Sequence, residues 1–410
     1  MNAALTRNIS LYRWSRFLRS LIFWQAIWFL YFQDVLSASE AILLYAVYDV
    51  SITLLEVPSG YMSDRLGRRK TLILSAFAAF GGAVLLAIGD SFATFALGQV
   101  LIGTGGALAS GTDEAMLYES LNATDREDEI EAQEITAWRY SYTALALSAL
   151  SGGLMAMYSP VLPFAVGAIA MLGLIWVTFQ FVEPPRNLDT AEGNEILRLT
   201  HLGEAFRNPV LLWFFALTVL MYGFSHLPFV FGQPFILKAL EGVGFAGSAP
   251  IVSGVITASM MGISIMASLI ALRLRKWFGL PLLLLAAFGL QIAISGVMAL
   301  TDSAIVIAFL LLRMVPDALS RPFILGRIQP LLSDDSRATF LSLKSFVGRL
   351  AFASALAIGA INTTDAGQMP YADIRAILIV ATLIGLAALF ALALAARRIA
   401  IDVAQTGDPK

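Results

Sequence analysis

Ionisable side chains stand inside long apolar stretches, the clearest being Asp49 and Glu56, then His226, Arg313, Asp317, Lys344 and Arg349. A charge in such surroundings is expensive to keep there. It marks a paired counter-ion, a proton site or a ligand for an oppositely charged group. Asp49 and Glu56 are seven residues apart and share one helix face. Arg313 and Asp317 have the spacing of a local helical ion pair; alternatively Arg313 faces a cavity and attracts an anionic or zwitterionic group. Asp34 and Lys238 fall near the ends of their stretches, within reach of water. Other chemistries are excluded. The chain has no cysteine and only two histidines, His201 and His226, so it offers no disulfide, no zinc-thiolate site and no histidine metal cluster. No clustered nucleophile and base, no nucleotide-binding P-loop and no calcium-loop spacing occur, so neither an enzyme, an ATP-driven pump nor a cofactor is expected.

The elements that must position these residues are membrane helices. Of 410 residues 58% are hydrophobic and 14% charged, with a mean hydropathy of +0.77. Soluble domains carry roughly 25% charged residues. The net charge of −2 argues against a nucleic-acid partner, and a lipid bilayer is the expected solvent. Twelve stretches are long and apolar enough to span it: 17–33, 41–60, 71–89, 92–112, 137–157, 161–182, 210–237, 250–271, 280–300, 303–325, 338–360 and 374–396. The N-terminus lacks the pattern of a removable signal peptide.

Basic residues alternate strongly between the two sides. With the N-terminus inside, the inner segments hold Arg7, Arg13 and Arg16, then Arg65, Arg68, Arg69 and Lys70, then Arg273, Arg275 and Lys276, among others. The outer segments hold only Lys238 and Arg375, which places both chain ends in the cytoplasm. The longest connection, Glu183 to Asn208, divides the chain into an N-terminal part (1–183), a linker (184–208) and a C-terminal part (209–410), with six spans in each half. Within it Ile196, Leu199, Leu202 and Phe206 have the spacing of a short amphipathic surface helix. The stretch from Asp113 to Glu134, whose only cation is Arg126, reads as a solvated inner loop.

Between the second and third spans lies a dense charged knot, "GYMSDRLGRRKTL". Four cations there fix topology, while Gly60 and Gly67 permit close backbone approach and a tight turn. Gly60, Asp64, Arg65, Gly67, Arg68, Arg69 and Leu72 resemble, in register and position, the cytoplasmic signature of the major facilitator superfamily. Two longer stretches, "LLEVPSGYMSDRLGRR" and "FALGQVLIGTGGALASGTDEAMLYESL", resemble a bacterial branch of drug or metabolite exporters. Other signatures are partial. Gln99 stands where span four often carries an arginine, and of the span-five antiporter pattern only Gly152-Gly153 survives.

The resemblance implies an all-α membrane protein of two pseudo-symmetric six-helix bundles, a monomer in the bacterial cytoplasmic membrane, with a small-molecule site near the bilayer midplane. It implies alternating access, either as proton-coupled export or as symport or uniport of an anionic or zwitterionic metabolite. It makes the knot a gate: Asp64 meets the start of span eleven near Ala338, and the arginines meet Asp113 and Glu114 at the base of span four. It also makes spans two and eleven neighbours. At about 1.5 Å per residue, Glu56 and Lys344 lie roughly 6 and 9 Å from the inner ends of their spans, and Asp49 and Arg349 about 16 Å. Glu56–Lys344 and Asp49–Arg349 are therefore level-matched; Lys344 and Arg349 are about 140° apart on a helix, so one pair is expected rather than both. Trp24, Gln25, Trp28, Tyr222 and His226 fall near positions that line the superfamily's cavity, with packing or lipid contact as the alternative for each aromatic and a proton relay as one reading of His226.

Overall fold

Capping and glycine chemistry set most helix boundaries. The computed structural model describes residues 2–185, 206–328, 331–332, 334–364 and 368–402; the predicted linker helix falls outside them apart from Phe206. In chain order come α1 (Asn2–Arg19), α2 (Trp28–Gln33), α3 (Ala38–Leu66), α4 (Arg68–Ile88), α5 (Phe92–Ala109), α6 (Thr112–Asn122), α7 (Ile130–Ala156) and α8 (Leu162–Gln180). After the linker come α9 (Pro209–Glu241), α10 (Ala249–Phe278), α11 (Leu280–Leu300), α12 (Ile307–Leu310), α13 (Val315–Ile328), α14 (Asp334–Ile361) and α15 (Tyr371–Ala396). Ser37 opens α3 through a capping box with Glu40. Asn208 caps α9, with Pro209 in its first turn.

Nine helices among the described residues are long and apolar enough to cross a membrane. The three other predicted spans differ in instructive ways. Span one is interrupted: α1 ends at Arg19 and a 3₁₀ turn, Phe23–Ala26, precedes α2. No proline causes this break. The turn is held from outside, by the Gln25 amide donating to the Leu145 carbonyl at 2.9 Å and by Trp24 stacked on Phe164 at 5.6 Å. Span five is a continuous helix, α7, diluted by Arg139 and by hydroxyl-bearing residues. Span ten is broken before Pro316, which cannot supply the amide hydrogen that the Leu312 carbonyl would accept, and α13 restarts there. Conversely, Pro228 and Pro234 suggest a broken span seven, yet α9 runs unbroken through both. Each proline removes one ladder bond, a loss that a long helix packed against α11 and α15 tolerates.

The chain divides into two units. The first is Met1–Thr190 with Phe245–Ala258 and Ala353–Met369; the second is Ala191–Gly244, Ser259–Phe352 and Pro370–Lys410. In the first, small residues allow backbones to meet. A Cβ at Gly153 would lie 2.7 Å from the Pro250 carbonyl oxygen, and one at Gly254 would lie 2.5 Å from that of Ala149, so α7 and the start of α10 touch through glycine.

The acidic stretch is not a solvated loop. It folds as α6, a 3₁₀ turn at Glu127–Glu129 and the start of α7. Leu117 and Leu121 are fully buried with Ile9, Tyr12 and Ala137, a burial of about 1.5–3 kcal/mol per large apolar side chain; Asp113, one turn before Leu117, is buried with them and paired to Arg16, while Glu114 stays exposed. Arg126 donates to both Glu129 carboxylate oxygens at 2.7 Å and Gln133 adds a third bond at 2.9 Å. These bonds hold the Glu129 carboxyl well below the usual range, at about 2. A depressed carboxylate contributes stability that is present above its unfolded range and lost as pH falls through about 2. Arg126→Ala should return the Glu129 carboxyl toward the ordinary carboxylate range, read by a side-chain carbon NMR titration.

Candidate functional sites

The charged knot is built around one residue. α3 ends at Leu66 and α4 begins at Arg68, so Gly67 alone makes the turn, at φ +110°. That conformation is open to glycine and strained for any residue with a Cβ. Gly67→Ala should cost about 1–3 kcal/mol, measured by denaturant unfolding in detergent. A Cβ at Gly60, by contrast, meets nothing within 4 Å, so the expected close approach does not occur there within the first unit.

The short turn puts Asp64 and Arg65 in the last turn of α3 and Arg68 and Arg69 in the first turn of α4. Arg68 is the hub. Its guanidinium donates to Asp64 Oδ1 at 2.7 Å, to Ser63 Oγ at 2.8 Å and to Glu119 Oε1 at 3.0 Å. The amides of Arg68 and Arg69 each donate to the Glu183 carboxylate at 2.8 Å, which caps the positive end of α4. Arg69 reaches the Phe179 carbonyl at 2.9 Å, while Arg65 lies over the Tyr61 ring at 5.0 Å.

The acids that meet the knot are therefore Glu119 and Glu183, not the expected Asp113 and Glu114. Gly111, at φ +72°, turns the chain into α6, and Asp113 is taken by Arg16 at 3.2 Å. The side chain of Ala338 lies outside the described residues, so the expected meeting of Asp64 with the start of span eleven is not described.

A second cluster lies wholly within the second unit. A cavity of about 330 Å³ is lined by Tyr222 and Ser225 of α9, Asp317, Ser320 and Arg321 of α13, and Lys344, Ser345 and Arg349 of α14. The polar edge of three otherwise apolar helices thus converges on one space. Lys344 and Arg349 both reach it despite their angular separation. The Arg349 guanidinium sits 5.6 Å from the Tyr222 ring centre and 3.5 Å from its hydroxyl, and its Nε lies 3.4 Å from Ser345 Oγ. Gly348 makes room for the Tyr222 ring, which a Cβ there would touch at 3.4 Å.

Asp317 pairs with Arg321 at 3.4 Å and accepts from Gln291 at 3.5 Å. The partner the spacing suggested, Arg313, lies over the Phe229 ring at 5.2 Å with a nitrogen 3.5 Å from Met260 sulfur. His226 stands behind the wall, its ring 4.2 Å from that of Tyr222 and its Nδ1 2.7 Å from the Tyr222 carbonyl oxygen. Arg321 was not among the expected site residues, although it follows Asp317 at helical-pair spacing. Gln291, fully apolar in its surroundings, gave no such signal.

The expected cavity residues of the first unit are engaged in packing. Trp24 is stacked on Phe164, and Trp28 is buried with Phe29, Phe32 and Tyr45 around it. Gln25 is bonded to α7 backbone, and Gln99 is buried on α5. Asp49 is fully buried on α3, and Glu56, two turns further along, is partly exposed. Their pairing with Lys344 and Arg349 joins residues of different units and stands as a proposal.

The sequence model described as the Major Facilitator Superfamily matches residues 13–356. Solved structures of three transporters are similar over nearly the whole chain. The nucleoside transporter NupG is 12% identical, with 95% of this chain and 98% of that one covered at a TM-score of 0.74. An auto-inhibited peptide transporter of the POT family is 14% identical, with 98% and 99% covered at 0.72. A D-xylose–proton symporter is 14% identical, with 92% and 96% covered at 0.67. No curated protein sequence matches. At these identities the likeness is one of fold.

Proposed function

Because the chain belongs to the major facilitator superfamily, we propose that it is a secondary transporter that moves a small organic molecule across the bacterial cytoplasmic membrane by alternating access. It is not an enzyme. The observation that carries this reading is the cavity of the second unit, where Asp317, Arg321, Lys344 and Arg349 meet among apolar helices. Charge costs several kcal/mol in such a place, and a ligand of opposite charge explains why it is kept. In this reading the chain forms twelve spans in two six-helix bundles and acts as a monomer with both ends in the cytoplasm. The knot steadies the cytoplasmic side, and one of the pairs Glu56–Lys344 and Asp49–Arg349 forms and parts during the cycle.

Two directions follow. The resemblance to exporter sequences favours efflux against entering protons. The cavity favours the second reading, symport or uniport of an anionic or zwitterionic metabolite, because three of its four charged lining groups are cations. The purified protein in proteoliposomes, given labelled organic anions, cations and neutral solutes with and without an imposed pH gradient, tests both. Flux that exceeds protein-free vesicles and responds to the gradient is expected. Rates equal to protein-free vesicles for every class would refute transport.

A further inference from the structure

The single-glycine turn of the knot occurs a second time in the chain. In the second unit α10 ends at Phe278 and α11 begins at Leu280, so Gly279 alone makes the turn, at φ +74°. The cap is repeated as well. Asp402, just past α15, accepts from the Leu280 amide at 3.1 Å, as Glu183, just past α8, accepts from the amides of Arg68 and Arg69. Arg327, near the end of α13, donates to the carbonyl of the buried Ile401 at 2.8 Å. The end of α10, the start of α11, the end of α13 and the segment after α15 therefore meet at one end of the second unit.

Charge is balanced differently at the two turns. Around the first, Asp64 and Glu119 pair with Arg68, and Glu183 caps the helix. Around the second, only Asp402 meets a cation among the described residues, 3.8 Å from Arg275. Arg273, Lys276, Arg397 and Arg398 are exposed and make no ion pair among the described residues. Two exposed apolar stripes run down to them. On α10 the stripe is Ile265, Leu269 and Leu272, and Arg273 and Lys276 continue it at helical spacing. On α15 it is Leu386, Phe390 and Leu394, continued by Arg397. Trp277, 74% exposed, stands beside the α10 cations. An apolar stripe, then an indole and cations, matches the order of environments from acyl chains to headgroups.

We propose that this end of the second unit binds anionic phospholipid: the stripes of α10 and α15 lie against acyl chains, and Arg273, Lys276, Arg397 and Arg398 hold headgroup phosphate. The lipid supplies here the negative charge that Asp64 and Glu119 supply at the first turn. Arginine suits the role, because its fork of donors fits two phosphate oxygens at once. Asp402 does not compete for these four cations, since its carboxylate is engaged by the α11 amide and by Arg275. A soluble phosphate would leave the adjoining apolar stripes bare, whereas a lipid covers stripe and cations together. The inference goes beyond the transport reading and needs only that these helices span a bilayer.

The test is native mass spectrometry of the full chain released from micelles holding phosphatidylglycerol and phosphatidylcholine in equal amounts. A basic residue at an anionic membrane surface is worth about fivefold in affinity, so two engaged cations should make wild type retain the glycerol lipid about twentyfold over the choline lipid. The preference should shrink in concentrated salt. Arg273→Gln with Lys276→Gln should lower it about fivefold or more, and so should Arg397→Gln with Arg398→Gln. All four are exposed, so the fold survives their loss. Arg65→Gln with Lys70→Gln removes the same charge from the first turn and should leave the preference within about twofold. Phosphatidylglycerol brominated on its acyl chain should quench the fluorescence of wild type more than that of Trp277→Phe, which places the lipid. Free glycerol phosphate should not displace it. Equal retention of the two lipids by wild type overturns the proposal, as does an equal loss in the Arg65 and Lys70 variant, quenching unchanged in Trp277→Phe, or displacement by glycerol phosphate. Because none of these readouts needs flux, their failure would leave the transport reading standing, and a lipid-binding protein that carries nothing would defeat that reading alone.

Discussion

Detergent-solubilised protein carrying Arg68→Ala should lose about 2–4 kcal/mol of unfolding free energy, and Arg65→Ala less than about 1 kcal/mol. Both are arginines of one short motif, and their types give no reason to rank them. Their surroundings do. The Arg68 side chain is 16% exposed and holds Asp64 and Glu119, the latter itself 21% exposed. Removing it leaves Glu119 half-sequestered without its cation, with its second carboxylate oxygen already buried and unpartnered. It also cuts the link from α3 and α4 to α6. The value sits below that of a fully buried pair because water still reaches Asp64. Arg65 is exposed over Tyr61, and an exposed cation–π contact is worth about 0.5–1 kcal/mol. Unfolding in mixed micelles measures both. Equal losses would show that the motif acts through its net charge rather than through the hub.

The contrast marks how far sequence reading reaches. The knot and its position between two spans are contiguous in sequence, so Gly67 and the cations stand out at once. Their partners do not: Glu119 is 51 residues from Arg68, and Glu183 is 115. Glu119 also hides in an acidic run whose α6 helix is betrayed only by Leu117 and Leu121, one turn apart. Charges in apolar stretches are equally conspicuous, and Tyr222, Asp317, Lys344 and Arg349 converge on one cavity. What the spacing of Arg313 and Asp317 cannot supply is the break before Pro316, so the acid ends up beside Arg321 instead. Proline is an uneven guide: it breaks span ten and leaves α9 intact, while span one breaks without any proline. Local chemistry opens these possibilities, and packing against helices distant in sequence selects among them.

The two clusters also use charge in opposite ways. Around the knot Arg65, Arg68 and Arg69 each find an acid, a carbonyl or a ring, as a fixed support requires. The cavity instead gathers Asp317, Arg321, Lys344 and Arg349 on one space among apolar helices, where charge is costly and marks a binding or coupling role by default. Loss of a knot residue should therefore register first in stability, and loss of Lys344 first in ligand affinity.

Gly152→Ala should all but abolish recovery of folded protein, although it adds a single methyl group to a helix. The pair Gly152-Gly153 is what survives of a span-five antiporter pattern, and its first member has a purely steric role here. A Cβ at Gly152 would overlap the carbonyl oxygen of Phe23, in the 3₁₀ turn that interrupts span one. That oxygen belongs to backbone held on both sides, by the stack of Trp24 on Phe164 and by the bond from Gln25 to Leu145, so no side chain can rotate away to make room. Overpacking against movable side chains costs about 1–3 kcal/mol. Against fixed backbone the cost exceeds that range and approaches the 5–15 kcal/mol total of a typical fold. Gly106→Ala is the control, since its Cβ would first meet an Ile52 side-chain atom at an ordinary 3.7 Å and alanine is the better helix former. Size-exclusion profiles of membrane-extracted protein should show a monodisperse peak for Gly106→Ala and a void-volume aggregate for Gly152→Ala. A normal peak for Gly152→Ala would mean that α7 does not press on the span-one turn, and the contact that explains why span one breaks would be lost with it.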